Sequence, residues 1–490
     1  MAPSASLQPS QSHQSVESLS AWIRDSGGFV GSISVDHPAG MERRVVATRD
    51  ILEGELLLAL PQHILFTSHS AASTSIAARW CTVHEVDEID LLCIQLLEEL
   101  ELRAASRWAV WLATLPAAYD TPLLWDPPTR AALRCADLTR RVDAQRATAE
   151  ASFASLRRLA AERRLPLPPS FTLHRYLWAI ATVRTRGATL VDEGAGGSPP
   201  TGEWALCPLG DMFNHAADAR TRCCFDRDSA TYRYVAGAHV RAGGEVLVCY
   251  GAHDDSVLLE QYGFVLAGNP HSRVRVAEEC SELPERVAAW LHEQSLDLEG
   301  LHLSADGGSW ELMAALRLKH ATEKEMEHGA AFAVLEGELI SPSNERLILA
   351  ALLRLARARA QLFGTAAKRR SPRLSSPPGA PTLLSNGWQP LEDGYATMRA
   401  RCLIDSWVGA QRQVLSECIQ ALERQMRSLP PASPSIESST ARHPAHNGQI
   451  DTLASEANLG EPPASRSTHR RKKIARSVND EISAMSSEAR

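Results

Sequence analysis

None of the ten cysteines in this 490-residue chain belongs to a C-x-x-C pair, and the adjacent Cys223 and Cys224 are poorly placed to share a metal ion. The sequence therefore predicts neither a zinc site nor a disulfide framework, and we expect reduced thiols. No window approaches a run of about 18 apolar residues, so we expect no membrane-spanning helix. Residues 1–16 have neither an apolar core nor a basic residue, which argues against a secretory signal and weakens the case for an organellar transit peptide.

Basic residues are also fewer than acidic residues. The chain has 51 Lys and Arg residues against 58 Asp and Glu residues, which gives a formal net charge of −7. A mildly acidic protein is not suited to coating nucleic acid by bulk electrostatics. With 44% apolar and 22% charged residues the composition is typical of globular domains, and the length suits two or three of them.

The distribution of aromatic residues divides the chain, because every Trp, Tyr and Phe lies between Trp22 and Trp407. Aromatic side chains supply much of the large buried area in a core. We therefore expect disorder over residues 1–16 and 429–490, which contain none. A stretch rich in proline and serine predicts a further disordered loop at 365–382.

Hydrophobic periodicity predicts strands on both sides of a helical stretch. Strands are expected at 45–47, 56–60, 232–236 and 246–249, and helices at 87–112, 128–162 and 175–183. After about residue 275 the pattern is helical throughout. It includes a helix over 346–360 with Ser343 as its N-cap, and a last helix with one apolar face formed by Leu403, Trp407, Val414, Cys418 and Leu422.

This order predicts an α+β protein. Since the β segments flank the helical stretch, we expect one β-rich domain split by a helical insertion at about 68–175. An all-helical C-terminal domain would follow it.

Two segments place polar side chains and tyrosines beside short apolar runs. The first contains Asp211, Asn214 and His215, and the second contains Tyr250-Gly251 and Tyr262-Gly263. Taken singly, an Asn-His pair usually makes local hydrogen bonds, and a tyrosine at a strand end usually packs in the core. The ordered combination of the two segments is what indicates a functional site.

With these segments the sequence resembles the SET-domain methyltransferases. The closer resemblance is to the subgroup typified by the Rubisco large-subunit lysine methyltransferase, which has a split SET domain and a helical substrate-binding domain. Five segments match in family order, at 47–61, 108–123, 178–186, 211–215 and 250–264. The resemblance implies a SET domain over 17–270 and a substrate-binding domain over 275–428. It also implies a pseudoknot, in which the C-terminal segment of the SET domain threads through a loop, which ordinary folding rules would not predict.

The resemblance also implies S-adenosylmethionine as the cofactor, without a metal ion, and it assigns roles to single residues. Tyr250 would aim at the reacting amine and Tyr262 would be the second active-site tyrosine. The main-chain carbonyls of Thr185 and Asp211 would face the transferring methyl group, on the substrate side. The implied cofactor-binding residues are Met41, Glu42, Arg43, Arg186, Asn214 and His215.

The implied reaction is methyl transfer to a lysine amine of a protein substrate. The zinc-binding cysteine groups of many chromatin-directed SET enzymes are missing, which points to a non-histone substrate. We expect a monomer that binds neither nucleic acid nor membranes. The basic run at 469–473 is either part of a solvated tail or a nuclear import signal, so we expect a cytoplasmic or nuclear protein.

Two alternatives remain open. Arg44, Asp255 and Val257 depart from the family pattern, which leaves a non-catalytic binding module with the same fold. The actin-histidine members of the subgroup carry an Asn and a Trp where this chain has Ala188 and Gly210, so a histidine acceptor is disfavoured relative to lysine without being removed.

Other residues near the matched segments are expected to have structural roles only. Cys249 is expected to be a small core residue, and His253 and Asp254 to form a solvated loop rather than an acid–base pair. The helices at 275–428 are expected to dock the protein substrate, and the alternative is that they only brace the SET core.

Overall fold

The computed structural model describes residues 11–37, 43–133, 135–191, 203–276, 283–294, 300–364 and 393–430. The loop predicted at 365–382 lies outside these ranges, as do residues 1–10 and 431–490 of the two predicted disordered ends. Helix α1 begins at Gln11, so ordered structure starts earlier than the predicted boundary at residue 17.

Strands in the described residues are β1 (Phe29–Val30), β2 (Ile33–Asp36), β3 (Arg44–Ala47), β4 (Leu56–Pro61), β5 (Phe66–Thr67), β6 (Gly187–Thr189), β7 (Trp204–Leu206), β8 (Asn214–His215), β9 (Arg222–Asp226), β10 (Thr231–Val235), β11 (Leu247–Val248), β12 (Val274–Arg275), β13 (His302–Ser304) and β14 (Gly307–Gly308).

Helices in the same ranges are α1 (Gln11–Asp25), α2 (Ser68–Ala71), α3 (Glu88–Leu102), α4 (Ala109–Leu112), α5 (Pro127–Ala131), α6 (Ala136–Arg163), α7 (Leu173–Arg186), α8 (Asp255–Val257), α9 (Glu285–Glu293), α10 (Trp310–Lys319), α11 (Glu323–Glu327), α12 (Ala330–Leu335), α13 (Pro342–Gly364) and α14 (Asp393–Ser428). Short 3-10 turns join several of them, and a π-helical turn, Leu258–Tyr262, follows α8.

Small sheets form the N-terminal half, and the predicted strands are confirmed there. The four-stranded sheet has the order β1-β4-β10-β9, and its central register pairs Leu60 with Tyr232. Alternate residues Tyr232 and Tyr234 of β10 are buried, as expected for a strand with one face on a core. The neighbouring predicted strands β3 and β4 do not pair with each other, because β3 pairs with β2.

Helices α2 to α6 form the predicted insertion between strands β5 and β6 and pack on the β-rich half through buried tryptophans. The indole N–H of Trp108 donates to the carbonyl of Ile64 at 3.0 Å, and that of Trp178 on α7 donates to the carbonyl of Pro116 at 3.1 Å. Trp108 and Trp111 are both fully buried. These contacts fix the insertion and α7 relative to the strands that precede the site.

The C-terminal half is helical, as predicted, with one difference. Strands β12, β13 and β14 form a small three-stranded sheet, so the region after residue 275 is not helical throughout. Helix α13 begins at Pro342, and its first turn is capped by the hydroxyl of Ser341, which accepts from the N–H of Asn344 at 3.0 Å. The predicted N-cap Ser343 is therefore wrong by two positions.

The predicted apolar face of α14 is confirmed. Trp407, Val414, Cys418 and Leu422 are buried in one core cluster and Leu403 packs against it. That cluster also contains residues of α13 and of β12 and β13, so α14 lies across the C-terminal half. Among the described residues, no helix combines the length and the apolarity needed to cross a bilayer.

Candidate active site

Two segments that lie far apart in sequence meet as a pair of short parallel strands. Asn214 and His215 of β8 pair with Leu247 and Val248 of β11. Just past β11, the backbone N–H of Tyr250 donates to Nδ1 of His215 at 3.0 Å, and the two rings stack with centroids 5.1 Å apart. The two segments singled out in the sequence are thus side by side.

Tyr250 is held at both ends within a group of aromatic rings. Its hydroxyl donates to the main-chain carbonyl of Phe213 at 2.7 Å. The ring centroids of Tyr262 and Phe264 lie 5.1 and 6.4 Å from that of Tyr250. Burial, and to a smaller extent Cys249, raises the pKa of Tyr262, so its phenol stays protonated at neutral pH.

Asn214 is oriented by two acceptors. Its side-chain amide donates to the carbonyl of Arg43 and to Oε1 of Glu245, each at 2.8 Å. Glu245 is itself fixed by a backbone bridge to Val46 of β3. Because both amide hydrogens are used, the carbonyl oxygen of Asn214 is the atom left to accept from a ligand.

His215 is a neutral imidazole at physiological pH. Burial lowers its pKa below the ordinary 6.5, and the nearby His253 and His271 lower it further, while a backbone hydrogen bond at Val248 opposes the shift. Since Nδ1 accepts from Tyr250, the ring proton of the neutral form belongs on Nε2.

Arg186, at the end of α7, is bound on two sides. Its Nη1 donates to the carbonyl of Asp211 at 2.8 Å and to its Oδ2 at 3.2 Å, and its Nε donates to the hydroxyl of Tyr119 at 3.2 Å. The indole N–H of Trp111 donates to the same Oδ2 at 3.3 Å. Burial opposes charge on Arg186, but Tyr119 and Asp211 outweigh it and raise its pKa.

Arg43 brings a second, half-buried guanidinium to the same place. Burial and the charge of Arg186 lower its pKa to about 10, although Asp211 and Tyr119 act in the opposite direction. Its Nη1 donates to the carbonyl of Thr114 at 2.7 Å, and Oδ1 of the buried Asp211 has no hydrogen-bond partner. Two cations thus share one nearby carboxylate, which makes this a favourable place for the negative group of a ligand.

The structure brings together most of the predicted site residues. Arg43, Arg186 and Asp211 form a charged group, and Asn214 is joined to it through the carbonyl of Arg43. Met41 and Glu42 lie outside the described residues. The hydroxyl of Thr185 donates to the carbonyl of Ala181 in its own helix at 2.7 Å. The predicted roles of the Thr185 and Asp211 carbonyls stay predictions, and one lone pair of the Asp211 carbonyl is already used by Arg186.

The prediction of a solvated loop at His253 and Asp254 is wrong. The Asp254 side chain is fully buried and lies 2.9 Å from Nε of Arg273 and 3.0 Å from Nη2 of Arg275. His253 is half-buried, with Nε2 3.0 Å from the carbonyl of Tyr250. Cys249 is half-buried as well, rather than a core residue.

Several residues of this site were not predicted to belong to it, although two of them lie within the matched segments 108–123 and 211–215. Phe213, Glu245 and Tyr119 each accept a hydrogen bond from a predicted site residue that lies 31 to 67 positions away in the sequence. The turn Gly243-Gly244-Glu245 and the stretch containing Tyr119 are visible in the sequence. Their partners are set by tertiary structure. In the described ranges, no three His, Cys, Asp or Glu side chains cluster so as to hold a metal ion.

The chain is similar in sequence to several SET-domain proteins, although no family model matches it. SET domain-containing protein 4 of Mus musculus is 29% identical over 330 residues, 63% of this chain and 73% of that protein. Protein SET DOMAIN GROUP 40 of Arabidopsis thaliana is 25% identical over 384 residues, 69% of this chain and 74% of that protein. The actin-histidine N-methyltransferase of Homo sapiens is 27% identical over 323 residues, 63% of this chain and 53% of that protein.

The fold is similar to solved structures of a Rubisco methyltransferase. The crystal structure of the SET domain of LSMT bound to lysine and AdoHcy matches with a TM-score of 0.61 at 17% identity, covering 86% of this chain and 93% of that chain. The structure of Rubisco LSMT bound to AdoMet matches with a TM-score of 0.54 at 16% identity, covering 86% and 97%. At such identities the likeness shows the fold alone.

Proposed function

Since this chain is a SET-domain protein with the fold of Rubisco LSMT, we propose that it catalyses S-adenosylmethionine-dependent methylation of proteins, with the side-chain amine of lysine as acceptor. One arrangement carries the proposal. Strands β8 and β11 bring Tyr250 onto His215, and Asn214 lies beside the Arg43 backbone. The pair predicted to bind the cofactor and the tyrosine predicted to orient the amine are thereby adjacent.

The residues present fit S-adenosylmethionine, which supplies an electrophilic methyl group on a sulfonium and carries a carboxylate. Arg43 and Arg186 are partly buried cations with one shared carboxylate partner, so a second carboxylate would balance their charge. Asn214 offers its carbonyl oxygen as an acceptor because its amide hydrogens are taken. These three residues would hold the cofactor.

The aromatic group beside Tyr250 suits an uncharged amine. Free lysine has a pKa of about 10.4, and methyl transfer needs the neutral form. The rings of Tyr250, Tyr262 and Phe264 provide apolar surroundings in which the ammonium is disfavoured. The hydroxyl proton of Tyr250 is directed to Phe213, and a hydroxyl oxygen can also accept an amine N–H, which would orient the nitrogen lone pair.

Two observations support lysine over histidine as the acceptor. A Cβ at Gly210 would lie 2.2 Å from the hydroxyl of Tyr234, so a large side chain like the one implied for actin-histidine members does not fit there. Ala188 lies in β6 opposite Ala205 and offers no polar group to an imidazole. Histidine is the second candidate, favoured by the 27% identity to an actin-histidine N-methyltransferase.

Two of the three departures that motivated a non-catalytic module, Arg44 and Asp255, have structural partners of their own. Arg44 pairs with Asp36 at 2.8 Å across the β2–β3 ribbon. Asp255 is buried, and Asn269 donates to it at 3.3 Å. Neither side chain blocks the arrangement around Tyr250, so we favour the enzyme.

We further propose a protein substrate other than a histone and a monomeric enzyme, located in the cytoplasm or, through the basic run at 469–473, in the nucleus. The basic run lies outside the described residues. Lysate fractionated by compartment, when used as methyl acceptor, would indicate where the substrate is found.

The experiment is methyl transfer from S-[methyl-³H]adenosylmethionine to cell lysate, followed by hydrolysis of the labelled protein and identification of the modified amino acid. Labelled ε-N-methyl-lysine is expected. Labelled N-methylhistidine would establish the second candidate instead, and no labelling by a folded enzyme that binds the cofactor would establish the non-catalytic module. Asn214→Ala serves as the inactive control.

A further inference from the structure

Tyr262 lies in an unusual segment of the backbone. It is the last residue of the π-helical turn Leu258–Tyr262, and Gly263 ends that turn in the left-handed region with φ +78°. π-Helical turns are rare and occur often at functional sites, since they are kept only where neighbours hold them. The position of the Tyr262 ring therefore depends on what anchors the two ends of this segment.

The C-terminal end is anchored by the insertion. A Cβ at Gly263 would lie 2.9 Å from the carbonyl carbon of Asp120 and from the amide nitrogen of Thr121, so the two backbones are in direct contact. The Asp120 carboxylate pairs with Nη2 of Arg399 on α14 at 2.5 Å. Both side chains are mostly buried, so their attraction is screened less than that of a surface pair, although burial outweighs Arg399 and raises the pKa of Asp120.

The N-terminal end is anchored by the same helix. Trp407 of α14, fully buried, donates its indole N–H to the hydroxyl of Ser256 at 3.2 Å. Gln411, one turn further, donates to the carbonyl of Arg273, whose guanidinium pairs with Asp254 directly before α8. One face of α14 thus reaches both ends of the segment that carries Tyr262.

Resting on the proposed function, we propose that helix α14 of the C-terminal half positions Tyr262 in the active site, and that the Asp120–Arg399 pair is the positioning contact. This gives the C-terminal half a role in catalysis beyond docking a substrate or bracing the core. Neither Asp120 nor Arg399 touches the reacting atoms on this account. Both act through the backbone of Gly263.

The variant Arg399→Gln should lower kcat about 10- to 100-fold, since small misplacements at a reacting centre have effects of that size, while leaving the dissociation constant of S-adenosylmethionine unchanged. Arg399→Lys keeps the charge and should retain most of the turnover. The matched control is Arg357→Gln, which removes a 2.8 Å pair between α13 and Glu423 of α14 away from Tyr262. This control should behave as wild type.

A double-mutant cycle separates positioning from general destabilisation. In a Tyr262→Ala background, Arg399→Gln should have little further effect on kcat, because the ring that it positions is gone. Equal losses in both backgrounds, or an equal loss in Arg357→Gln, would overturn the proposal.

A readout independent of turnover keeps this proposal distinct from the proposed function. In the full-length chain labelled with 3-fluorotyrosine, Tyr262→Phe identifies one of the seven tyrosine ¹⁹F signals. Arg399→Gln should shift that signal and leave those of Tyr232 and Tyr234 in place. An unshifted Tyr262 signal would refute the positioning role even in an active enzyme, whereas a shifted signal in a chain without methyl transfer would count against the proposed function only.

Discussion

The backbone N–H of Tyr250 donates to Nδ1 of His215, 35 positions earlier in the chain, at 3.0 Å. This hydrogen bond ties the strand end that carries the tyrosine to the Asn214-His215 pair. It requires a neutral imidazole with an unprotonated Nδ1, and the lowered pKa of His215 meets that requirement at physiological pH. Protonation of Nδ1 of His215 would therefore break this contact between the two segments of the proposed site.

Acidification should destabilise the protein through His215. Its pKa is lowered in the folded state, so the unfolded chain takes up the proton first as the pH falls below 6.5, and the free energy of unfolding decreases until the folded pKa is passed. His215→Asn keeps a side-chain acceptor without the titration. Urea unfolding at pH 7.5 and 5.5 should show a larger loss of stability in wild type than in this variant, and equal losses would contradict the prediction.

Tyr250→Phe should keep cofactor binding and lose most turnover. The substitution removes the hydroxyl that donates to Phe213 and, in our proposal, orients the amine, but leaves the ring stacked on His215. We expect kcat to fall about 100-fold, the size of effect that lost alignment of the reacting atoms can have. Equilibrium dialysis with S-adenosylmethionine and single-turnover methyl transfer measure the two effects. Tyr232→Phe in β10 is the control, and unchanged turnover in Tyr250→Phe would remove the residue from the mechanism.

Arg43 and Arg44 are adjacent arginines with different surroundings, which makes them a matched pair. Arg43→Met should weaken S-adenosylmethionine binding by about 1.5–3 kcal/mol, roughly 10- to 150-fold in Kd, because a charged donor to the cofactor carboxylate is lost. It should not destabilise the fold strongly, since it relieves the repulsion between Arg43 and Arg186. Arg44→Met, which breaks only the half-exposed pair with Asp36, should bind the cofactor as wild type does. The reverse order of affinities would contradict the assignment.

Local patterns in the sequence predicted local structure well. The runs at 45–47 and 232–236 are strands, and the spacing of Trp407, Val414 and Cys418 marks the buried face of α14. The α+β class, the SET fold and the helical C-terminal region are confirmed. Each of these features follows from periodicity over a few turns or from motifs a few residues long.

Features that depend on distant partners could not be predicted in the same way. Asp254 looks like a loop residue in sequence, but Arg273 and Arg275 converge on it, and a carboxylate with two such partners can be buried. Strands β13 and β14 are too short to show a period of two, so the small C-terminal sheet gave no signal. Partners 19 and 21 positions away decide the first case, and the pairing of β13 with the earlier strand β12 decides the second.

Calorimetric titration of the full-length chain with S-adenosylmethionine tests the central claim most directly, because the claim is that residues 214–215 and Tyr250 build a site for this cofactor. We predict saturable binding of one molecule per chain that weakens at least about 10-fold in Asn214→Ala, where the acceptor oxygen is lost. The account would be contradicted if a folded wild-type chain gave no binding heat in any of several buffers that differ in ionisation enthalpy. An Asn214→Ala variant with unchanged affinity would also contradict it.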